Sequence, residues 1–332
     1  MHPSLLRFDL GIEGLSELSI SSYFGMVAIG FALAIFMFRK VGARQGINGD
    51  SLLDLGLYMV IFGVLGARLL HVIADGEFWN YVHWCTDPSA VVWDVTREEC
   101  RSNSLNGVWD SVEEVCRPQN PEARSIWARC TLWLQFWQGG LAYYGGFVLA
   151  TLYGIYFIRK EGLPLGRVID MSGWAIPFGL AWGRMGCFLN GCCYGQPLAD
   201  QSYHPWWSVA FPRWSPAWRD HFQEGLITRS HELSLHLYPT QLGESIAALA
   251  IAAWAYFWLE PRKHFAGEVF LLSCLLYAIA RFILEFFRAD ERGELFSLST
   301  SQIVGLVIIV VIAAVWQRMK RSSLEAARAV KR

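Results

Sequence analysis

The stretch YAIARFILEFFRAD, residues 277–290, sets Arg281 and Glu285 inside an otherwise apolar run. Tyr277, Arg281 and Glu285 recur at i, i+4 and i+8, and Arg288 follows three residues later, so a helix would carry all four along one side. An arginine at the centre of a membrane helix costs ~2.5–3.5 kcal/mol on insertion scales. A charged stripe of this kind therefore faces protein rather than lipid, and the stretch reads as a membrane helix lining the interior of a bundle.

The rest of the chain agrees. Of 332 residues 54% are hydrophobic and only 17% charged, an excess of apolar residues over ordinary soluble chains. A hydrocarbon core of ~30 Å needs about 20 helical residues to cross it. About seven apolar runs approach that length, at residues 22–38, 53–73, 139–158, 168–189, 239–258, 267–287 and 301–316. Pro177 inside the fourth is tolerable, because neighbouring helices can satisfy the freed backbone groups. The expected fold is all-α: a polytopic transmembrane helix bundle of about seven spans, forming one domain over residues 1–332. A net charge of −1 excludes a protein that coats nucleic acid, which needs a clustered basic face to displace counterions.

Alternate loops are basic. Arg39, Lys40 and Arg44, then Arg159, Lys160 and Arg167, then Arg262 and Lys263, and finally the tail from Arg318 to Arg332 mark the cytoplasmic side by the positive-inside bias. The amino terminus is then outside and the carboxyl terminus inside. No basic leader or small-residue cleavage site precedes the first span, so no removable signal peptide is expected. The enlarged loop at 75–138, the Trp- and His-rich loop at 195–237 and the acidic turn at 290–294 fall outside.

This orientation puts Cys85, Cys100, Cys116 and Cys130 in an oxidising compartment, where two disulfides are expected with any of three pairings. No paired CxxC spacing calls for structural zinc, and Cys187, Cys192 and Cys193 read as packing residues near a helix end. His204, His221, His231 and His236, interleaved with tryptophans, read as an interfacial segment rather than a metal site. Further charges fall within other spans: Arg68, Arg184 and Glu244. Arginine exceeds carboxylate there. A guanidinium matches phosphate oxygens bidentately, so the natural ligand of such an interior is a phospholipid headgroup. Arg184, flanked by Gly183 and Gly186, is the stronger candidate, and Arg68 reads equally well as a structural helix-end charge.

GRMGCFLNGCCYG at residues 183–195 resembles the signature of prolipoprotein diacylglyceryl transferases. SSYFGMVAIGFALA around Tyr23, WQGGLAYYGG at 137–146, YPTQLGE at 238–244, YAIARFILEFFRAD at 277–290 and SLSTSQIVG from Ser297 resemble further family blocks, in the family's order. The resemblance implies transfer of the diacylglyceryl group of phosphatidylglycerol to the lipobox cysteine of a secreted precursor. The reaction would take place at the bacterial inner membrane, leave a thioether, release glycerol phosphate and need no metal or soluble cofactor. It also implies that Arg184 and Arg281 serve catalysis or headgroup binding, and that Tyr23, Asn190, Glu244, Tyr277 and Glu285 occupy further motif positions. Arg288 joins the expected headgroup set.

The chain departs from the best-known members at Tyr144, where they have histidine, and at Cys187 and Cys192, where they have asparagine and glutamate. A phenol is a weaker base than imidazole near neutrality. Tyr144 is accordingly expected to hydrogen-bond the lipid while the arginines, or Glu244 or Glu285, promote loss of the thiol proton. A cavity open sideways to lipid and lined by Tyr23, Tyr144, Arg184, Glu244, Arg281 and Glu285 is expected. The competing readings are a phospholipid-dependent enzyme with another acceptor and a non-catalytic lipid-binding or transport protein.

Overall fold

The computed structural model describes residues 4–8, 18–74, 78–93, 95, 97–100, 107–120, 122, 125–134, 140–289, 294–295 and 298–330. Residues 290–293 of the acidic turn, 75–77 and 135–138 at the ends of the loop 75–138, Ser297, and the terminal Lys331 and Arg332 lie outside them. The helices in chain order are α1 (Ser22–Arg44), α2 (Gly49–Ala74), α3 (Phe78–Thr86), α4 (Arg97–Cys100), α5 (Ile126–Cys130), α6 (Tyr143–Lys160), α7 (Leu165–Asn190), α8 (Pro216–Gln223), α9 (Thr240–Ala253), α10 (Glu268–Glu285) and α11 (Thr300–Val330). A π turn at Trp254–Leu259 and a 3-10 turn at Glu260–Arg262 prolong α9.

The molecule is mostly helical, and each expected apolar run holds a long helix. Four helical stretches, Ser22–Arg44, Gly49–Ala74, Thr240–Arg262 and Gln302–Ser323, are long and apolar enough to cross a membrane. This is a multi-pass membrane architecture. α7 and α10 are more polar because they carry Asp170, Arg184, Glu268, Arg281 and Glu285. The all-α expectation needs one correction: three short antiparallel hairpins pair β1 (Ser4–Phe8) with β2 (Leu18–Ser21), β3 (Gly107–Asp110) with β4 (Val115–Pro118), and β5 (Glu294–Leu295) with β6 (Leu298–Ser299). They lie outside the long helices, where water or protein can satisfy the strand edges.

The chain forms two compact units, Met1–Leu53 with Leu163–Arg332, and Asp54–Gly162. In the first, α7 packs against α1, α9 and α10. Small residues permit the close crossings: a Cβ on Gly30 would stand 2.7 Å from Trp182 Cβ, and one on Gly173 would stand 2.8 Å from the backbone of Val269 and Phe270. Such contacts drive helix association where no water is available to be expelled. Asp170, fully buried, fixes α10 on α7: its Oδ1 accepts from Val269 N at 3.0 Å, and Lys263 Nζ stands 3.0 Å from Oδ2. Large apolar side chains on α1 and α11, among them Phe31, Phe36, Val307 and Val310, remain exposed, as suits surfaces solvated by lipid.

The loop 195–237 folds as a cap around Phe211, Ala217 and Leu237. Its interfacial reading is corrected in part: Trp218 and His221 are buried, and Trp218 Nε1 donates to His231 O at 2.9 Å, while Trp206 and Trp214 are exposed. Burial holds the His221 imidazole below its ordinary pKa. His204 stacks on His236 at 3.9 Å, but among the described residues the histidines do not gather into a metal-ligand set.

In the second unit, α2 and α6 meet through glycines. A Cβ on Gly66 would come within 2.4 Å of Gly145 O, and one on Gly146 within 2.6 Å of Gly63 O. The loop between them is built on Trp84, Val91 and Leu132, with Cys85 bonded to Cys130 and Cys100 to Cys116. Buried Arg68 ties this loop to α2. It donates to Trp133 O (2.7 Å), Gly140 O (3.0 Å), Leu132 O (3.1 Å) and Tyr81 Oη (2.9 Å). These contacts favour its structural reading.

Gly66→Leu should lower the melting temperature of the detergent-solubilised protein, since overfilling a packed contact costs about 1–3 kcal/mol; an unchanged melting temperature would mean that α2 and α6 do not touch there. Non-reducing peptide mapping should recover the Cys85–Cys130 and Cys100–Cys116 peptides linked in those pairs, and any other linkage would contradict the loop described.

Candidate active site

Within the first unit, α7, α9 and α10 bring together residues far apart in the chain. Arg184 Nη2 stands 3.0 Å from Glu244 Oε1, and the Tyr277 hydroxyl donates to the same oxygen at 2.6 Å. Glu244 is 2% exposed, so a carboxylate shut away from water is held by one guanidinium and one phenol. One turn further along α10, Arg281 Nη2 lies 2.6 Å from Glu285 Oε2, and Ser299 Oγ donates to Glu285 Oε1 at 3.0 Å. Arg288 Nε stands 3.9 Å from Glu285 Oε2. Arg288 is buried, which corrects the alternative that its charge reaches out to the interface.

Three guanidinium groups thus face two carboxylates. Arg281 keeps Nη1 buried and without a hydrogen-bond partner among the described residues. An unsatisfied, permanently charged donor in such surroundings is expensive unless an acceptor arrives. The arrangement suits an anion, with the carboxylates fixing the guanidinium planes beforehand.

The GCCYG turn closes this end of α7. Gly191 terminates the helix in the left-handed conformation, and Cys193, although not a glycine, takes a φ of 58°. The turn is held from the start of α9: Gln241 Nε2 donates to Cys192 O at 2.9 Å and Thr240 Oγ1 to Cys193 O at 3.2 Å. Gly195 N donates to Tyr238 O and Gln196 N to Phe287 O, and a side chain at Gly195 would strike both carbonyls. The segments 190–196, 238–244 and 285–288 therefore form one backbone frame around the arginines. The first turn of α1 lies against α7 at Gly186, with Tyr23 O 3.1 Å from a Cβ built there. Tyr23 sits on that first turn of α1, and Asn190 is the last residue of α7, immediately before the left-handed Gly191.

Tyr23, Arg184, Asn190, Glu244, Tyr277, Arg281, Glu285 and Arg288 all belong to this unit. Tyr144 belongs to the other, on the first turn of α6, with its ring against Tyr143 and its side chain exposed. An open hollow of about 410 Å³ lies at the far end of α1, among Phe36, Arg39, Lys40 and Asp50, remote from the arginine cluster. Three positioning residues were missed in the sequence: Thr240, Gln241 and Ser299. The signal for the first two was available, as adjacent polar residues opening an apolar run.

Residues 12–95 and 126–318 match the prolipoprotein diacylglyceryl transferase family, and the chain belongs to that family of membrane transferases. Similar proteins are the phosphatidylglycerol–prolipoprotein diacylglyceryl transferases of Clostridium tetani, 24% identical with 89% of this chain and 91% of the relative covered, and of Geobacillus kaustophilus, 24% identical with 95% and 94% covered. That of Solidesulfovibrio magneticus is 28% identical, with 88% and 84% covered. The unmatched residues 96–125 contain Cys100 and Cys116 and lie between Cys85 and Cys130.

A double-mutant cycle with Arg184→Gln and Glu244→Gln, read by thermal unfolding in detergent, should give a coupling energy of about 1–3 kcal/mol. Additive losses would show that the two groups are not an energetic unit.

Proposed function

We propose that this chain transfers the diacylglyceryl group of phosphatidylglycerol to the cysteine thiol of a precursor lipobox, at the outer face of the bacterial inner membrane. The observation that carries the reading is the buried arginine cluster, one guanidinium over the carboxylates present, with Arg281 Nη1 unpartnered. Seven spans are proposed, with the amino terminus outside and the loops 75–138 and 195–237 external. The four cysteines paired as disulfides support this orientation, because such bonds persist in an oxidising compartment.

The chemistry follows from charge. The thiolate attacks the diacylglyceryl carbon joined to the phosphate ester oxygen; the S–C bond forms, the C–O bond breaks, and its electron pair leaves on glycerol phosphate. Arg281 and Arg184 meet the phosphate oxygens and stabilise the charge that grows on them, an effect strongest where water is excluded. Glu244 and Glu285 act as positioning residues that hold the guanidinium planes. Tyr277 completes the Glu244 contact, Arg288 adds positive charge, and Tyr23 and Asn190 flank the headgroup.

Membranes containing the protein, phosphatidylglycerol and a lipobox peptide should yield peptide heavier by one diacylglyceryl group at its cysteine, detected by mass spectrometry. Replacing both Arg184 and Arg281 with Ala should reduce the yield at least a hundredfold, as expected when charge stabilisation worth about 3–4 kcal/mol is removed. Transfer surviving that double replacement would sink the proposed site, and unmodified peptide beside a working control would point to another acceptor.

A further inference from the structure

Cys187, Cys192 and Cys193 are nucleophilic groups that the reaction above leaves unused. Their Sγ atoms all lie within 4.8 Å of one another, and none is in a disulfide. Local geometry gathers them. Cys192 N donates to Cys187 O at 3.1 Å, and Cys193 occupies the left-handed region that a residue with a Cβ enters at a cost. Gln241 and Thr240 hold the carbonyls of this turn. Backbone strain maintained by two side-chain hydrogen bonds thus turns three sulfurs toward one point. Arg184 lies one turn before Cys187 on α7, and Arg288 pairs through the backbone with Gly195 just beyond the turn, so fixed positive charge is carried on both flanks of the cysteine segment.

We propose that Cys187, Cys192 and Cys193 hold a cation of the zinc class as three thiolates and leave its fourth position for the sulfur of the incoming precursor cysteine. The role of that fourth position rests on the transferase function proposed above. Zinc–sulfur bonds of ~2.3 Å set tetrahedral sulfurs about 3.8 Å apart, so closing the cluster takes shifts of about 1 Å at most. Three protein ligands with one open position is the pattern of catalytic rather than structural zinc. Three reduced thiols in mutual contact on the external side would otherwise be open to oxidation.

The step balances. Binding Zn²⁺ releases three protons and leaves the site at −1. The precursor thiol displaces water, loses its proton to solvent as its sulfur coordinates, and brings the charge to −2; Arg184 and Arg288 offset that charge. The coordinated sulfur forms the bond to the glyceryl carbon while the C–O electron pair departs on phosphate. The neutral thioether is a poor ligand, so water replaces it and the cation is not consumed. Coordination supplies the activated sulfur without a histidine base.

The full-length protein, reduced, stripped with a chelator and held in detergent with phosphatidylglycerol, is titrated with Co²⁺ as the spectroscopic probe. One equivalent should bind with thiolate-to-cobalt charge transfer, be displaced by Zn²⁺, and be lost in Cys192→Ser/Cys193→Ser. A lipobox peptide should alter the spectrum, and its serine counterpart should not. Absent charge transfer with Cys187, Cys192 and Cys193 all reacting as free thiols would overturn the site; bound cobalt indifferent to the peptide would overturn the open position. Transfer assayed in parallel should fall at least tenfold on stripping and return with Zn²⁺. An unchanged rate in stripped protein overturns the inference and leaves the transferase reading intact. Cobalt binding with a peptide response but no transfer supports the metal site and counts against the transferase reading. The wild-type titration needs no variant, so a misfolded mutant cannot imitate either result.

Discussion

A guanidinium cannot discard its proton, so burying one in an apolar bundle commits the surroundings to answering its charge. Arg184, Arg281 and Arg288 impose that demand on one end of three helices. Glu244 and Glu285 answer it in part: the 3.0 Å Arg184–Glu244 contact joins α7 to α9, the Tyr277 hydroxyl brings α10 to the same carboxylate, and the Arg281–Glu285 pair holds the second guanidinium along α10 itself. Breaking such a pair from one side leaves a charge with nowhere to go, which is more costly than the pair is stabilising. In the proposed function the incomplete neutralisation is the working feature: two carboxylates orient the arginines, and the remaining positive charge is left for a ligand.

The backbone around the cluster is adapted to the same end. Glycines at 30, 173 and 186 let helices approach until the charged side chains can reach one another. Asp170 sets α10 on α7 near its other end. The polar residues opening α9 then clamp the GCCYG turn, so the segment that ends α7 is held by the helix that supplies Glu244. In the second unit Arg68 shows the contrasting use of a buried arginine. Its donors are spent on loop carbonyls and a tyrosine hydroxyl, and the charge serves to hold the loop between α2 and α6 on α2.

Much of this was legible in sequence because membrane helices are written locally. A run of apolar residues, a basic flank and charges repeating at i and i+4 need no knowledge of the partner helix; the Arg281–Glu285 contact follows directly. Arg184–Glu244 does not, since 60 positions separate the residues and their meeting depends on how α7 crosses α9. The cysteine pairing in the first loop was undetermined for the same reason: four thiols in a polar stretch admit three connectivities until a fold selects among them. The buried Trp218 and His221 were misread because aromatic and histidine-rich composition describes an interfacial segment and a folded cap equally well. Spacing also hid the cysteine cluster, since 187, 192 and 193 match no ligand pattern until a left-handed residue folds the chain back.

The proposed reaction makes two separable demands, and the two proposals assign them to different materials. Stabilising a departing phosphate needs fixed positive charge, which the arginines and their carboxylates provide whatever the nucleophile. Activating a thiol needs a proton acceptor or a Lewis acid, and a guanidinium is neither. Resemblance to the family places a histidine where Tyr144 stands, and asparagine and glutamate where Cys187 and Cys192 stand. These departures concern the second demand and leave the first untouched. An exposed phenol is a poor replacement for imidazole as a base, whereas three converging sulfurs are a competent soft-cation site. Loss of one means of activating sulfur and gain of another would then be a single chemical exchange, made on a scaffold whose phosphate-binding charges did not have to move.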